Sequence, residues 1–245
     1  MYFVGVDLAW SDNNQSGIVV LKDDELALVG VVKTDEEIIR AVTGVVGRAS
    51  CLVAIDAPLV VPNESGSRLA EKEVNAAFRS YEAGAHPANR SWLTRSSGRV
   101  RGEDLVEQFA QVGIKHDPTS TGKKMRACFE VYPHPATVVL FGLEKTLKYK
   151  PRQNRSYEER WVAFEEYQKH LRALPLRGVA DLLSRDVRQL RASALKAYED
   201  RLDALLCAYV AYYAHRFPDR MGLYGSLEEG YILTPKHHLL EEFVR

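Results

Sequence analysis

Only three of the 245 residues are cysteine. Cys51, Cys128 and Cys207 are widely spaced and each sits among apolar neighbours, so they read as buried free thiols rather than a disulfide framework. No apolar run approaches the roughly 18 residues of a membrane span, so no membrane partner is expected. Low-complexity tracts and repeats at solenoid spacing are also missing. The first residues lack the basic, apolar and small-residue succession of a secretory leader. Together with the scarce cysteines, this makes the cytoplasm the expected compartment. Excess charge of either sign is absent too, with 33 basic and 33 acidic side chains. That argues against bulk attraction to nucleic acid and leaves room for local patches. Neither a Walker-type phosphate loop nor a G-x-G-x-x-G occurs.

What is present begins at once. Met1-Tyr-Phe-Val-Gly-Val-Asp7-Leu-Ala is a short apolar run carrying one carboxylate at the point where a buried strand should end. An unpaired carboxylate there is costly to bury unless it faces a metal, a partner charge or an open cleft. The pattern recurs at Cys51-Leu-Val-Ala-Ile-Asp56-Ala-Pro, where Pro58 ends the strand. Two strand-end aspartates from distant segments suggest a site.

Residues 2–8, Ser16 to Leu21 and Leu26 to Val32 read as three strands joined by polar turns, Ser11-Asp12-Asn13-Asn14 and Lys22-Asp23-Asp24-Glu25. Thr34 with Glu37 forms a capping-box pattern opening a helix that ends near Gly47. With a strand at 51–56 following, that helix is a crossover between parallel strands. Residues 64–82 read as a helix, and 83–101 as a long loop rich in Gly, Pro, Ser and Arg. A helix over 103–112 precedes the apolar run Ala127-Cys-Phe-Glu-Val-Tyr, after which Pro133 and Pro135 start a short helix through Phe141. A basic connection, 149–156, leads to helices over 157–173, 178–185 and 187–216. Two brief strands at 222–224 and 230–233 close the order.

The long helix carries Asp200 and Asp203 three residues apart, on one face. Ala204, Leu205, Ala208 and Ala211 make that face small and apolar, suited to packing on a sheet. The plain reading is an edge aspartate paired with Arg201 or Arg216. Taken with Asp7, Asp56 and Glu130, a carboxylate set for Mg²⁺ or Mn²⁺ becomes the sharper reading. Such ions prefer hard oxygen ligands, and phosphoryl-transfer sites often hold two of them about 4 Å apart. Arg95, Arg99, Lys123 and Lys124 belong to a run of basic residues that reads either as solvated loops or as a rim facing a polyanionic substrate.

This order of features resembles the ribonuclease H-like fold, and Asp200-Arg-Leu-Asp203 is similar to the helical motif of its Holliday-junction resolvase branch. More closely, the chain resembles the predicted nucleases of that fold filed as a domain of unknown function, number 429. The matching segments are Gly5-Val-Asp-Leu-Ala, Ala54-Ile-Asp-Ala-Pro-Leu, Phe129-Glu-Val-Tyr-Pro-His-Pro-Ala, Asp203-Ala-Leu-Leu-Cys-Ala and Glu229-Gly-Tyr-Ile. The resemblance implies one α/β unit over 1–245, built on a mixed five-stranded sheet with three antiparallel strands followed by parallel ones. Helices would flank the sheet, with insertions around 83–101 and 143–185. It implies a metal-dependent phosphodiester hydrolase acting on DNA or RNA, with Asp7, Asp56, Glu130 and Asp203 catalytic. Asp7, Asp56, Asp200 and Asp203 would hold Mg²⁺ or Mn²⁺. Glu130 would be a ligand or hold a basic partner, and His134 would assist proton transfer or cap the next helix. His237 and His238 show no ligand spacing. Resolvase relatives imply a homodimer by analogy. Two other classes stay open: a nucleotide-binding ATPase or kinase of the actin-like type, and a non-catalytic scaffold.

Overall fold

The computed structural model describes residues 1–11 and 13–237, so Asp12 of the first turn and His238 lie outside the described residues. In chain order the elements are β1 (Tyr2–Asp7), β2 (Ser16–Lys22), β3 (Glu25–Val32), α1 (Asp35–Val46), β4 (Cys51–Ile55), α2 (Leu69–Phe78), α3 (Arg90–Leu93), α4 (Arg101–Gln111), β5 (Lys115–His116), β6 (Arg126–Glu130), α5 (Pro133–Phe141), α6 (Tyr157–Arg172), α7 (Ala180–Leu183), α8 (Ala192–Arg216), β7 (Met221–Ser226) and β8 (Gly230–Pro235).

The main sheet runs β3-β2-β1-β4-β6-β5, with β7 and β8 forming a separate two-stranded sheet. Strands β1, β2 and β3 pair antiparallel, while β4, β6 and β5 continue parallel to β1. The main sheet therefore has six strands rather than the five expected. The extra one, β5, is only Lys115 and His116, too short to show a period-2 pattern between a helix and a polar loop.

Local chemistry explains the element ends. The Thr34 hydroxyl accepts from Glu37 N while the Glu37 carboxylate accepts from Thr34 N, so the capping box over α1 is made as its sequence implies. Ile38, Val42 and Val46 form the buried stripe at four-residue spacing. Pro133 occupies the first turn of α5, and Gly142 closes that helix in the left-handed region, at φ 63°. The helix expected over 64–82 is shorter, because the chain enters α2 only after Arg68 and leaves it in a tighter 3-10 turn over 79–81. A 3-10 turn over 187–189 precedes α8, which starts at Ala192. The 83–101 loop contains the single-turn helix α3.

Strand alternation builds two cores. Val4, Val6, Ile18, Val20, Val53, Ile55 and Cys128 face α1 and α4, whereas Phe3, Val19, Leu21, Leu52, Ala54, Ala127 and Phe129 face α6 and α8. Among the described residues no helix is long and apolar enough to cross a membrane.

Candidate functional site

Side-chain parity decides where each strand-end carboxylate goes. Phe3, Leu52 and Ala54 face α8, so the period-2 rule sends Asp7 and Asp56 to that face as well. The parallel register pairs Val6 with Ile55, and Asp56 N donates to Val6 O at 2.8 Å. Asp7 and Asp56 are therefore neighbours on adjacent strands at one sheet end. On β6, Ala127 and Phe129 face α8 while Cys128 faces the other way, which places Glu130 on the opposite face.

The glycines of β1 and β2 bring α8 onto this spot. A Cβ at Gly5 would collide with the Ala204 carbonyl, and one at Gly17 with the Asp200 carbonyl. Only glycine permits so close a helix-to-strand approach. The contact delivers two acidic side chains beside Asp7. Asp200 shares a side-chain hydrogen bond with Asp7 and pairs with Lys196 Nζ at 2.6 Å. Asp203, with no solvent exposure, accepts from the Tyr149 hydroxyl at 2.7 Å and from the Tyr167 hydroxyl at 3.2 Å. Its other oxygen lies 2.9 Å from Lys150 Nζ.

Lys150 is the centre of the electrostatics. Burial opposes its charge, yet Asp203, Asp7 and Asp56 together hold the ammonium well above the ordinary lysine value. Burial likewise opposes the Asp203 charge, but Lys150 and the Tyr149 hydroxyl hold that carboxyl below its usual value. Asp7 and Asp56 are left short. Burial, opposed by Lys150 and aided by the other carboxylates, raises Asp7 well above the carboxylate range and Asp56 to about 7. Among the described residues, five carboxyls (Asp7, Asp56, Glu199, Asp200 and Asp203) gather with three pairing cations, Lys150, Lys196 and Arg160. Two negative charges remain without a partner, to be neutralised by protons or by a cation.

Asp7 and Asp56 line a cavity of about 340 Å³. Its lining also carries Lys148, Lys150, Arg152 and Arg155, with Lys148 paired to Glu82 at 3.3 Å. Burial, and then the neighbouring Arg152, lower the Arg155 value. His134 also lines the cavity. Burial and then Lys150 push its imidazole down to about 3, so the ring is neutral at physiological pH, and its buried Nδ1 has no hydrogen-bond partner. His134 does not cap α5, whose N-cap is Tyr132 without a side-chain bond.

The remaining expected site residues do not line this cavity. Glu130 accepts from Arg68 at 2.5 and 2.9 Å and from Leu59 N at 2.8 Å, so it holds a basic partner. That contact fastens the loop immediately after Asp56. Arg99 is tied to Asp35 and Asp104. Arg95 stacks over the Trp92 ring at 5.5 Å, away from the cavity lining. Lys123 and Lys124 precede β6, at the end of the parallel strands opposite Asp7, a strand length of roughly 16 Å.

Whether a divalent cation fits can be judged from donors and charge. Asp7 and Asp56 are adjacent hard oxygen donors, open to the cavity, and neither has an ion-pair partner of its own. The oxygens of Asp203 are already engaged. As placed, no three His, Cys, Asp or Glu side chains among the described residues converge as a ready metal cluster. The fit is thus to Asp7 and Asp56, with Asp203 serving Lys150.

Lys150, Tyr149 and Tyr167 carry no sequence motif of their own. Lys150 lies in the basic connection 149–156, and nothing in its neighbours singles it out from Lys148 or Arg152. Comparison with curated proteins gave no match, and comparison with solved structures gave none either. The family described as "Protein of unknown function (DUF429)" matches residues 5–221, and the chain belongs to that family.

Proposed function

We propose that the protein is a ribonuclease H-like phosphodiester hydrolase acting on nucleic acid, with Mg²⁺ or Mn²⁺ held by Asp7 and Asp56. One observation carries this reading: a single cavity joins two under-neutralised carboxyls to Lys148, Lys150, Arg152 and Arg155. Carboxyls and cations lining one cavity suit a cation and a phosphate side by side. Bound there, a divalent cation would polarise the phosphoryl oxygen and acidify an attacking water.

The chain's own residues do the rest. Lys150, Arg152 and Arg155 bind the phosphate and offset its growing charge. The Tyr149 hydroxyl and Lys150 both engage Asp203, so that carboxylate sets where the ammonium sits. Arg155 donates to the Lys150 carbonyl at 2.6 Å and braces the same loop. His134, neutral, offers a hydrogen bond rather than a charge to substrate or water. The test is a cleavage screen over structured and unstructured DNA and RNA with Mn²⁺ or Mg²⁺. Asp7→Asn should abolish cleavage while the protein stays folded. Cleavage retained by a clean Asp7→Asn preparation overturns the reading.

The Lys150–Asp203 pair also favours a second reading, a scaffold in which Lys150 is a permanent counter-ion. In that case Mn²⁺ would leave the thermal midpoint unchanged.

A further inference from the structure

A smaller cavity of about 70 Å³ opens beside the main one. Trp10, Asp56, His86 and Tyr132 line both, so the two are continuous across the rim that carries the carboxylate. Their characters differ. The main cavity is charged, whereas Ala57, Pro58, Ala85, Ala88, Val131 and Ile232 make the side cavity's walls apolar. Trp10, at its mouth, keeps 37% of its surface exposed. An indole left part-exposed at a cavity offers a flat apolar face to a ligand.

The floor of the side cavity is polar but offers nothing to a ligand. Arg68 spends its Nε on Glu71, one terminal nitrogen on Val60 O and Glu130, and the other on Glu71 and Glu130. Glu130 accepts from Leu59 N as well. All the guanidinium donors are therefore used. A planar group entering here would meet aromatic and apolar surface and no free charged donor on the floor.

Resting on the nuclease reading, we infer that this side cavity is a base subsite: it takes one unstacked nucleobase of the substrate by stacking and apolar contact, while the adjoining phosphate lies against Lys150 and Arg152. Continuity across the Asp56 rim places sugar and phosphate where the chemistry would occur. A base still stacked in a duplex is not free to turn into a side cavity, so the substrate is single-stranded or has its nucleotide extruded. Recognition dominated by stacking tolerates any base, because every base has a stacking face.

The experiment is a binding comparison that needs no turnover. Deoxyribose 5-phosphate, dAMP and dTMP are titrated by calorimetry in the presence of Mg²⁺, with tryptophan fluorescence recorded alongside. Both nucleotides should bind about five- to a hundredfold more tightly than the sugar phosphate, within a few-fold of each other. Trp10→Ala should bring nucleotide affinity down toward that of the sugar phosphate, and Trp10→Phe, which keeps a stacking face, should retain most of it. Thermal unfolding of both variants shows that they are folded. Nucleotides binding no tighter than deoxyribose 5-phosphate would overturn the base subsite and leave the phosphate site standing. A strong preference for one base, or indifference to Trp10→Ala, overturns it too. If none of the three binds, the phosphate-site reading falls and the subsite falls with it.

Discussion

Two clusters of buried carboxylates lie on opposite faces of one sheet end, and their charge balance differs. On one face, Glu71 and Glu130 grip Arg68, and each of its N–H groups has an acceptor. Burial raises the Glu130 value, with Arg68 pulling it back, and the acidic partners hold the guanidinium above its ordinary value. On the α8 face, Asp7 and Asp56 have too little positive charge nearby and titrate far above the usual range. The first cluster has every guanidinium donor engaged and positions a loop; the second faces the main cavity with two carboxyls that have no ion-pair partner. Buried charges that satisfy one another serve structure, and charges left unbalanced at a cavity wall are where binding free energy is available.

The largest expected effect attacks the second cluster. Asp7→Asn should reduce metal-dependent cleavage by on the order of a thousandfold or more, measured as initial rate in Mn²⁺. The thermal midpoint of the metal-free variant should equal or exceed that of the parent, because a buried, under-neutralised carboxyl is gone. A large fall in midpoint would make Asp7 structural and erase the contrast.

The first cluster should respond oppositely. Arg68→Ala leaves two buried carboxylates without their partner and should cost about 3–5 kcal/mol in urea unfolding. Stability unchanged by Arg68→Ala would show that this cluster is not what holds the 56–61 loop.

A pH series sharpens the comparison further. Folded Asp56 titrates at about 7, against about 3.9 in an unfolded chain. The folded state therefore holds the extra proton between those values. Its stabilising share is complete below about pH 4 and is lost as pH rises through 7. Metal-free protein should lose thermal midpoint from pH 5 to pH 8 on this account, Asp56→Asn should flatten the slope, and Mn²⁺ at pH 8 should restore the midpoint. Asp203, lowered, works with the opposite sign and is lost only on acidification.

The smallest effect belongs to Lys123→Ala combined with Lys124→Ala. Standing at the far end of the strands, the pair should leave cleavage within about twofold. A large loss would extend the substrate path across the sheet.

Much of the second cluster was legible before folding. Asp7 and Asp56 end apolar runs, and counting by twos from Phe3 and from Leu52 puts both on one face. The same count from Ala127 puts Glu130 on the other, which is why its partner is Arg68 rather than the aspartates. Asp200 and Asp203 were visible as a helical pair among small residues. Their separate fates were not: Asp200 meets Asp7 and Lys196, whereas Asp203 is enclosed by two tyrosines and Lys150. Strand β5 escaped because two residues carry no periodicity.

By itself the sequence determined the local elements: the alternation in β1 and β4, the capping box at Thr34, and the glycines at 5 and 17 that let a helix lie close. Those follow from interactions within a few residues or from steric rules true of any chain. Only the tertiary structure decided that Lys150 would reach Asp203, that Arg68 would satisfy the other cluster, and that two negative charges would remain unmatched. Charge balance in a buried space is a sum over segments distant along the chain, and it takes a value only once folding has brought them together.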